Sequence, residues 1–196
     1  IAQATGAAGS DTLGGIENLT GGNFADTLSG DAAGNVLNGG GGNDALEGGA
    51  GADVVDGGTG ADNLSGGLGS DNLYIDNAGD VVIEADATAA GGIDTVYASV
   101  SVAALWANVE NVRIVGAGAL DVLGNGLNNL VYAGAGDNVI DGANGIDTVS
   151  YVFAASAVNV SLDTSNPQAT GGSGNDTLRF VEYLTGSNFN DTLSGN

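Results

Sequence analysis

The chain has 196 residues and sets 24 acidic side chains against two cations, Arg113 and Arg179, for a formal net charge of −22. That balance excludes nucleic acid and anionic lipid surfaces as partners, since both are bound by Lys and Arg neutralising phosphate. With no cysteine, histidine or methionine, disulfides, structural zinc and thiol chemistry are excluded as well.

Oxygen is the ligand atom that remains, and carboxylates with backbone carbonyls suit Ca²⁺ or Mg²⁺. Thirty-seven glycines and one proline, Pro167, depart from ordinary globular usage. So much glycine costs backbone entropy unless many positions need positive φ or close backbone approach. No apolar run is long enough to insert in a membrane, and no basic region precedes one. Beginning at Ile1, the chain is expected to be a segment of a longer protein.

In chain order, residues 1–30 form a first block that ends in the nine-residue unit GGNFADTLS (21–29), with Asp26 in its sixth place. Residues 31–84 form the main block. GDAAGNVLN (30–38) leads into it with Asn35 in the sixth place, and then GGGGNDALE, GGAGADVVD, GGTGADNLS and GGLGSDNLY follow without a slip over 39–74. Asp44, Asp53, Asp62 and Asp71 hold the sixth place; Leu46, Val55, Leu64 and Leu73 hold the eighth. IDNAGDVVI (75–83) closes the block with Asp80.

Residues 85–123 lose the repeat, and alternating β-branched residues (Val96, Val100, Val102, Val112, Ile114) predict longer strands that continue the same stack. The repeat returns over 124–150 with Asn129, Asn138 and Asp147 in the sixth place. Residues 151–170 form a second spacer. The last block, 171–196, holds GGSGNDTLR with Asp176 and GSNFNDTLS with Asp191. A longer period overlays the short one: residues 3–30 match 168–195 at a constant offset, which predicts a tandem array of modules.

Each unit explains itself physically. Six glycine-rich residues make a turn, three make a short strand with one apolar side chain facing inward, and two units close a coil. Alternate units then stack, bringing Asp44 beside Asp62 and Asp53 beside Asp71. Neighbouring carboxylates repel, and a divalent cation between turns removes the repulsion.

The four unbroken copies of GGxGxDxUx, with U a large apolar residue, resemble the repeats-in-toxin (RTX) nonapeptide. The resemblance implies an all-β fold, a right-handed parallel β-roll or β-solenoid with calcium ions between its glycine-rich turns. It implies Ca²⁺ ligation by Asp44, Asp53, Asp62 and Asp71, helped by backbone oxygens of Gly40, Gly42, Gly49, Gly51, Gly58, Gly60, Gly67 and Gly69. Asp26, Asp80, Asp147, Asp176 and Asp191 match only the Asp place. Each of these five is either a ligand or an Asx-turn residue that stabilises its own backbone. Asn35, Asn129 and Asn138 keep the oxygen but lose the charge, and Phe24 and Phe189 fill a fourth place that is usually glycine, where they are expected to cap a stack or wedge against a neighbouring rung.

The partners expected are calcium and neighbouring modules of the same chain, with no nucleic acid and no membrane insertion. RTX proteins leave the cell through type I secretion, so the resemblance implies a secreted or surface location and a structural spacer within a repetitive, adhesive parent whose target these residues do not name. The alternative is an accessory folding and secretion module of a secreted protease, lipase or epimerase. No catalytic residue is expected: there is no His or Cys to serve as base or nucleophile, and Glu17, Glu110 and Glu182 read as hydrogen-bonded structural side chains. Trp106, Tyr97, Tyr151 and Phe153 read as packing aromatics.

Overall fold

A strand in this chain is as long as its ladder partner allows, and nearly all are two to four residues. The computed structural model describes residues 2–4, 10–12, 15–84 and 90–195. Parts of the 1–30 block (residues 1, 5–9 and 13–14), the first five residues of the 85–123 spacer and residue 196 lie outside these. Among the described residues every regular element is a strand, and the architecture is a parallel β-solenoid. The chain divides into two compact units, residues 1–97 with 106–108, and residues 98–105 with 109–196.

In the first unit the eighth-place residues build two parallel ladders. Thr27–Ser29, Ala45–Ala50, Asn63–Leu68 and Val81–Ile83 stack with Leu28, Leu46, Leu64 and Val82 in register. Asn18–Thr20, Val36–Asn38, Val54–Asp56 and Asn72–Ile75 stack with Leu19, Leu37, Val55 and Leu73 in register. Register steps by one coil, two nonapeptides, because a shift of one residue would turn every apolar side chain outward. The core is a double file of these side chains: Leu37, Val55, Leu64 and Leu73 are each 0 % exposed. Tyr97 stacks on Tyr74 at 4.5 Å between ring centres, outside that file.

The second unit repeats the plan with longer excursions between coils. Asn111–Ile114, Leu130–Tyr132, Thr148–Ser150 and Tyr183–Thr185 align Val112, Val131, Val149 and Leu184. Val122–Leu123, Val139–Asp141 and Gly174–Arg179 align Val122, Ile140 and Leu178. Asn159–Ser161 pairs with Thr192–Ser194. The strands of the 85–123 spacer are shorter than the alternation predicts. Thr95–Ala98 and Asn111–Ile114 have four residues each, and Val102 makes a single parallel bridge to Val122. Their ladder partners are themselves only two to four residues long, so further alternation finds no N–H or C=O to pair with.

Two segments, equivalent in the longer repeat, break the parallel pattern. Gln168–Gly171 and Gly174–Arg179 form an antiparallel hairpin in which Gln168 faces Asp176, and Ala2–Ala4 pairs with Ser10–Thr12 in the equivalent register, Gln3 facing Asp11. The glycines of GGSGN thus form a hairpin tip, with positive φ at Gly171 and Gly174.

Candidate metal centre

The sixth-place residues form two rows along the turns, held by one repeating hydrogen bond. The N–H of Asp26 donates to Asp44 Oδ1 (2.7 Å), that of Asp44 to Asp62 Oδ1 (2.8 Å) and that of Asp62 to Asp80 Oδ1 (3.0 Å). On the other row the N–H of Asn35 donates to Asp53 Oδ1 (2.6 Å), that of Asp53 to Asp71 Oδ1 (2.7 Å) and that of Asp71 to Asp94 Oδ1 (2.9 Å). The second unit continues the device, with Asn129 N–H on Asp147 Oδ1, Asn138 N–H on Asp176 Oδ1 and Val158 N–H on Asp191 Oδ1. One oxygen of each acceptor side chain is thereby committed to the neighbouring coil.

The remaining carboxylate oxygen, or the single amide oxygen of an Asn, divides the turns into two kinds. In the first, the N–H of the second residue closes back on the sixth: Gly22 on Asp26 Oδ2 (2.5 Å), Asp31 on Asn35 Oδ1 (2.7 Å), Asp76 on Asp80 Oδ2 (3.0 Å), Asn125 on Asn129 Oδ1 (3.0 Å) and Ser187 on Asp191 Oδ2 (2.7 Å). In the second kind the oxygen is buried with no hydrogen-bond partner. This holds for Oδ2 of Asp44, Asp53, Asp62, Asp71, Asp147 and Asp176, and for Oδ1 of Asn138.

The fourth residue decides between them. It is Phe24, Ala33, Ala78, Leu127 or Phe189 in the closed turns, and Gly42, Gly51, Gly60, Gly69, Gly136 or Gly145 in the open ones, whereas Gly174, two residues before Asp176, stands at the hairpin tip. Gly42, Gly51, Gly60 and Gly69 have φ of 124°, 109°, 150° and 115°, and Gly145 has 137°. A side chain with a Cβ resists that backbone conformation, so a non-glycine residue there drives the turn into the closed, Asx-type form. Phe24 is 72 % exposed and Phe189 54 %, so their rings face outward and neither wedges between coils.

A buried anionic oxygen without a partner is costly. The carboxyls of Asp44, Asp53, Asp62, Asp71, Asp147 and Asp176 are pushed up by burial, to about 6 for Asp53 and Asp176. The charges that bear on them are other carboxylates, which raise them further, for example Asp26 on Asp44 and Asp80 on Asp62. Arg113 lies over the Phe153 ring, 3.7 Å from its centre. Against Asp176 packs Tyr151, fully buried, its phenol pushed up by burial and by that carboxylate. Rows of desolvated oxygens of one sign suit a hard divalent cation.

The backbone oxygens expected to help are partly engaged already. The carbonyl of Gly40 accepts the N–H of Thr59 at 2.9 Å, while those of Gly42 and Gly51 aim at Gly60 and Gly69 of the next coil, where a Cβ would collide with them. Gly49, Gly58 and Gly67 share positive φ with Gly40. No group of three or more acidic side chains converges among the described residues, so a cation here would draw much of its shell from the backbone.

Two carboxylates escaped the sequence reading. Asp94 takes the sixth-place role 23 residues beyond Asp71, a shifted spacing that hid it. Glu84 receives the N–H groups of Gly66 and Gly67 at 2.8 and 3.2 Å; no motif signalled it. Glu182 Oε2 accepts the N–H of Asp147 at 2.8 Å, the structural role expected of it.

The sequence matches the family model for the RTX calcium-binding nonapeptide repeat in four copies, at residues 11–46, 38–73, 121–149 and 168–179, which together cover more than half of the chain. No curated protein matches it.

Proposed function

Because this chain belongs to the RTX calcium-binding nonapeptide repeat family, we propose that Ca²⁺ is held at its open turns, by Asp44, Asp53, Asp62 and Asp71 in the main block and by Asp147 in the second unit, while Asp176 belongs to a hairpin strand. Asp26, Asp80 and Asp191 serve instead as hydrogen-bonded residues of closed turns. The observation that carries this assignment is the set of buried Oδ2 atoms without partners, which follows glycine at the fourth place. Calcium bound there supplies the positive charge that these oxygens lack.

The role of the module follows from linkage. At free calcium ten times the dissociation constant, one bound ion stabilises the folded state by about 1.4 kcal/mol. Several ions reach the roughly 5–15 kcal/mol that is the whole stability of an ordinary domain. Where calcium is scarce, as in a cytosol, that contribution vanishes and a charge of −22 opposes compaction. The module is thus a calcium-stiffened spacer of a secreted, repetitive protein, passing out of the cell unfolded and folding outside.

Calorimetric calcium titration of single-site variants tests the assignment. Asp62→Ala is expected to lower the stoichiometry and Asp191→Ala to leave it unchanged. Equal loss of bound calcium from both would remove the distinction between open and closed turns.

A further inference from the structure

In the regular coils a first-place glycine such as Gly39 or Gly48 is faced by two oxygens that crowd the point where a Cβ would stand. One is Oδ2 of the aspartate in its own turn, and the other is the carbonyl of the glycine one coil on: Asp44 and Gly57 at Gly39, Asp53 and Gly66 at Gly48. Gly66 departs from this. Asp71 Oδ2 is in its place, but the second oxygen is Oε1 of Glu84, a side chain standing where the other turns offer backbone. Its two oxygens accept the N–H groups of Gly66 and Gly67 at 2.8 and 3.2 Å. The Glu84 carbonyl is engaged elsewhere, by Nδ2 of Asn108 at 2.7 Å, and Asn108 itself holds a left-handed backbone with φ of 65°. All of these residues belong to the first unit. Asp71 is 1 % exposed and Glu84 6 %, and Asp71 Oδ2 has no hydrogen-bond partner among the described residues.

We propose that Glu84 is a calcium ligand, and that with Asp71 Oδ2 it forms a two-carboxylate site at the Gly66 turn that holds its ion more tightly than a turn supplied by one aspartate and backbone oxygens. Satisfying the N–H of a first-place glycine does not need a carboxylate: Gly21, Gly30 and Gly39 donate to the neutral carbonyls of Asn38, Glu47 and Asp56. A glutamate in that role sets a second negative charge beside a buried carboxylate that already lacks a partner, which is costly unless a cation lies between them. Glu84 can serve both purposes, because each carboxylate oxygen accepts one N–H and keeps a second lone pair for an ion. The number of charged ligands and the rigidity of the site set the affinity for calcium. The Gly66 turn has the higher charge, and the Gly66, Gly67 and Asn108 hydrogen bonds hold Glu84 in position. Loading of the main block therefore begins at this turn.

This rests on the reading of the open turns as calcium sites and names a ligand that the nonapeptide does not contain. Crystals of the unaltered chain grown in calcium test the ligation directly. An ion is expected at roughly 2.3–2.6 Å from both Glu84 Oε1 and Asp71 Oδ2. Ions at the Asp44, Asp53 and Asp62 turns with none touching Glu84 overturn the proposal, whereas no ion at any open turn overturns instead the calcium reading beneath it. Calorimetric calcium titration separates a ligand from a cap. Glu84→Gln and Asp71→Asn are each expected to weaken the tightest ion by about tenfold or more, while Asp53→Asn, which leaves the Gly66 turn intact, retains it. If Glu84 only caps the Gly66 and Gly67 N–H groups, Glu84→Gln weakens every ion by one common factor or weakens none, and either result contradicts the proposal.

Discussion

At the scale of a residue, the fourth place of each unit governs the sixth. Gly51 holds φ at 109°, and a Cβ there costs about 1–2 kcal/mol. Gly51→Ala is therefore expected to close its turn, bring the second-place N–H onto Asp53 and lower the calcium stoichiometry, whereas Phe24→Gly should free Asp26 Oδ2 and raise it. Calorimetric stoichiometries of the two variants check this pair; movement in the same direction contradicts it. Acid acts on the same groups. A carboxyl at about 6 in the metal-free fold, as for Asp53 and Asp176, retains its proton where the unfolded chain, at about 4, has lost it. Stability of the metal-free fold therefore rises as pH falls from about 6 to about 4, and calcium affinity falls over the same interval. Calorimetric calcium titration across that range measures the second trend; an affinity that holds or rises with acid refutes it.

At the scale of an element, the coil was legible because its signals agree. Nine-residue glycine phasing fixed the turns, the eighth place fixed the buried file, and stacking at two units put Asp44 beside Asp62 and Asp53 beside Asp71, as the hydrogen bonds between them confirm. What escaped the sequence has physical reasons. GGSGN satisfies both a nonapeptide turn and a hairpin tip, and the pairing with Gln168–Gly171 decides for the hairpin. Asp94 and Glu84 reach their partners from shifted positions that no fixed spacing marks. The open and closed turns were written in the sequence, as Phe24 and Phe189 against Gly42 and Gly51, but their meaning depends on where one N–H points. Because the open turns present fixed backbone and carboxylate oxygens, Ca²⁺ with its flexible shell suits them better than Mg²⁺, which holds its water and demands an octahedron. Equal concentrations of Mg²⁺ are expected to restore less than half of the strand signal that Ca²⁺ restores; equal recovery contradicts the site chemistry.

At the scale of the whole molecule, each 18-residue coil buries about two large apolar side chains, a thin core for a chain that also confines 24 acidic groups. Monovalent salt screens exposed charge over about 10 Å at 0.1 M but does not reach into the buried rows. Salt should therefore compact the metal-free chain without restoring its ladders. If bound calcium completes the fold, far-ultraviolet circular dichroism during calcium titration from excess chelator shows loss of most strand signal in chelator and cooperative recovery at millimolar Ca²⁺; a spectrum that stays the same in chelator and in calcium rules this coupling out.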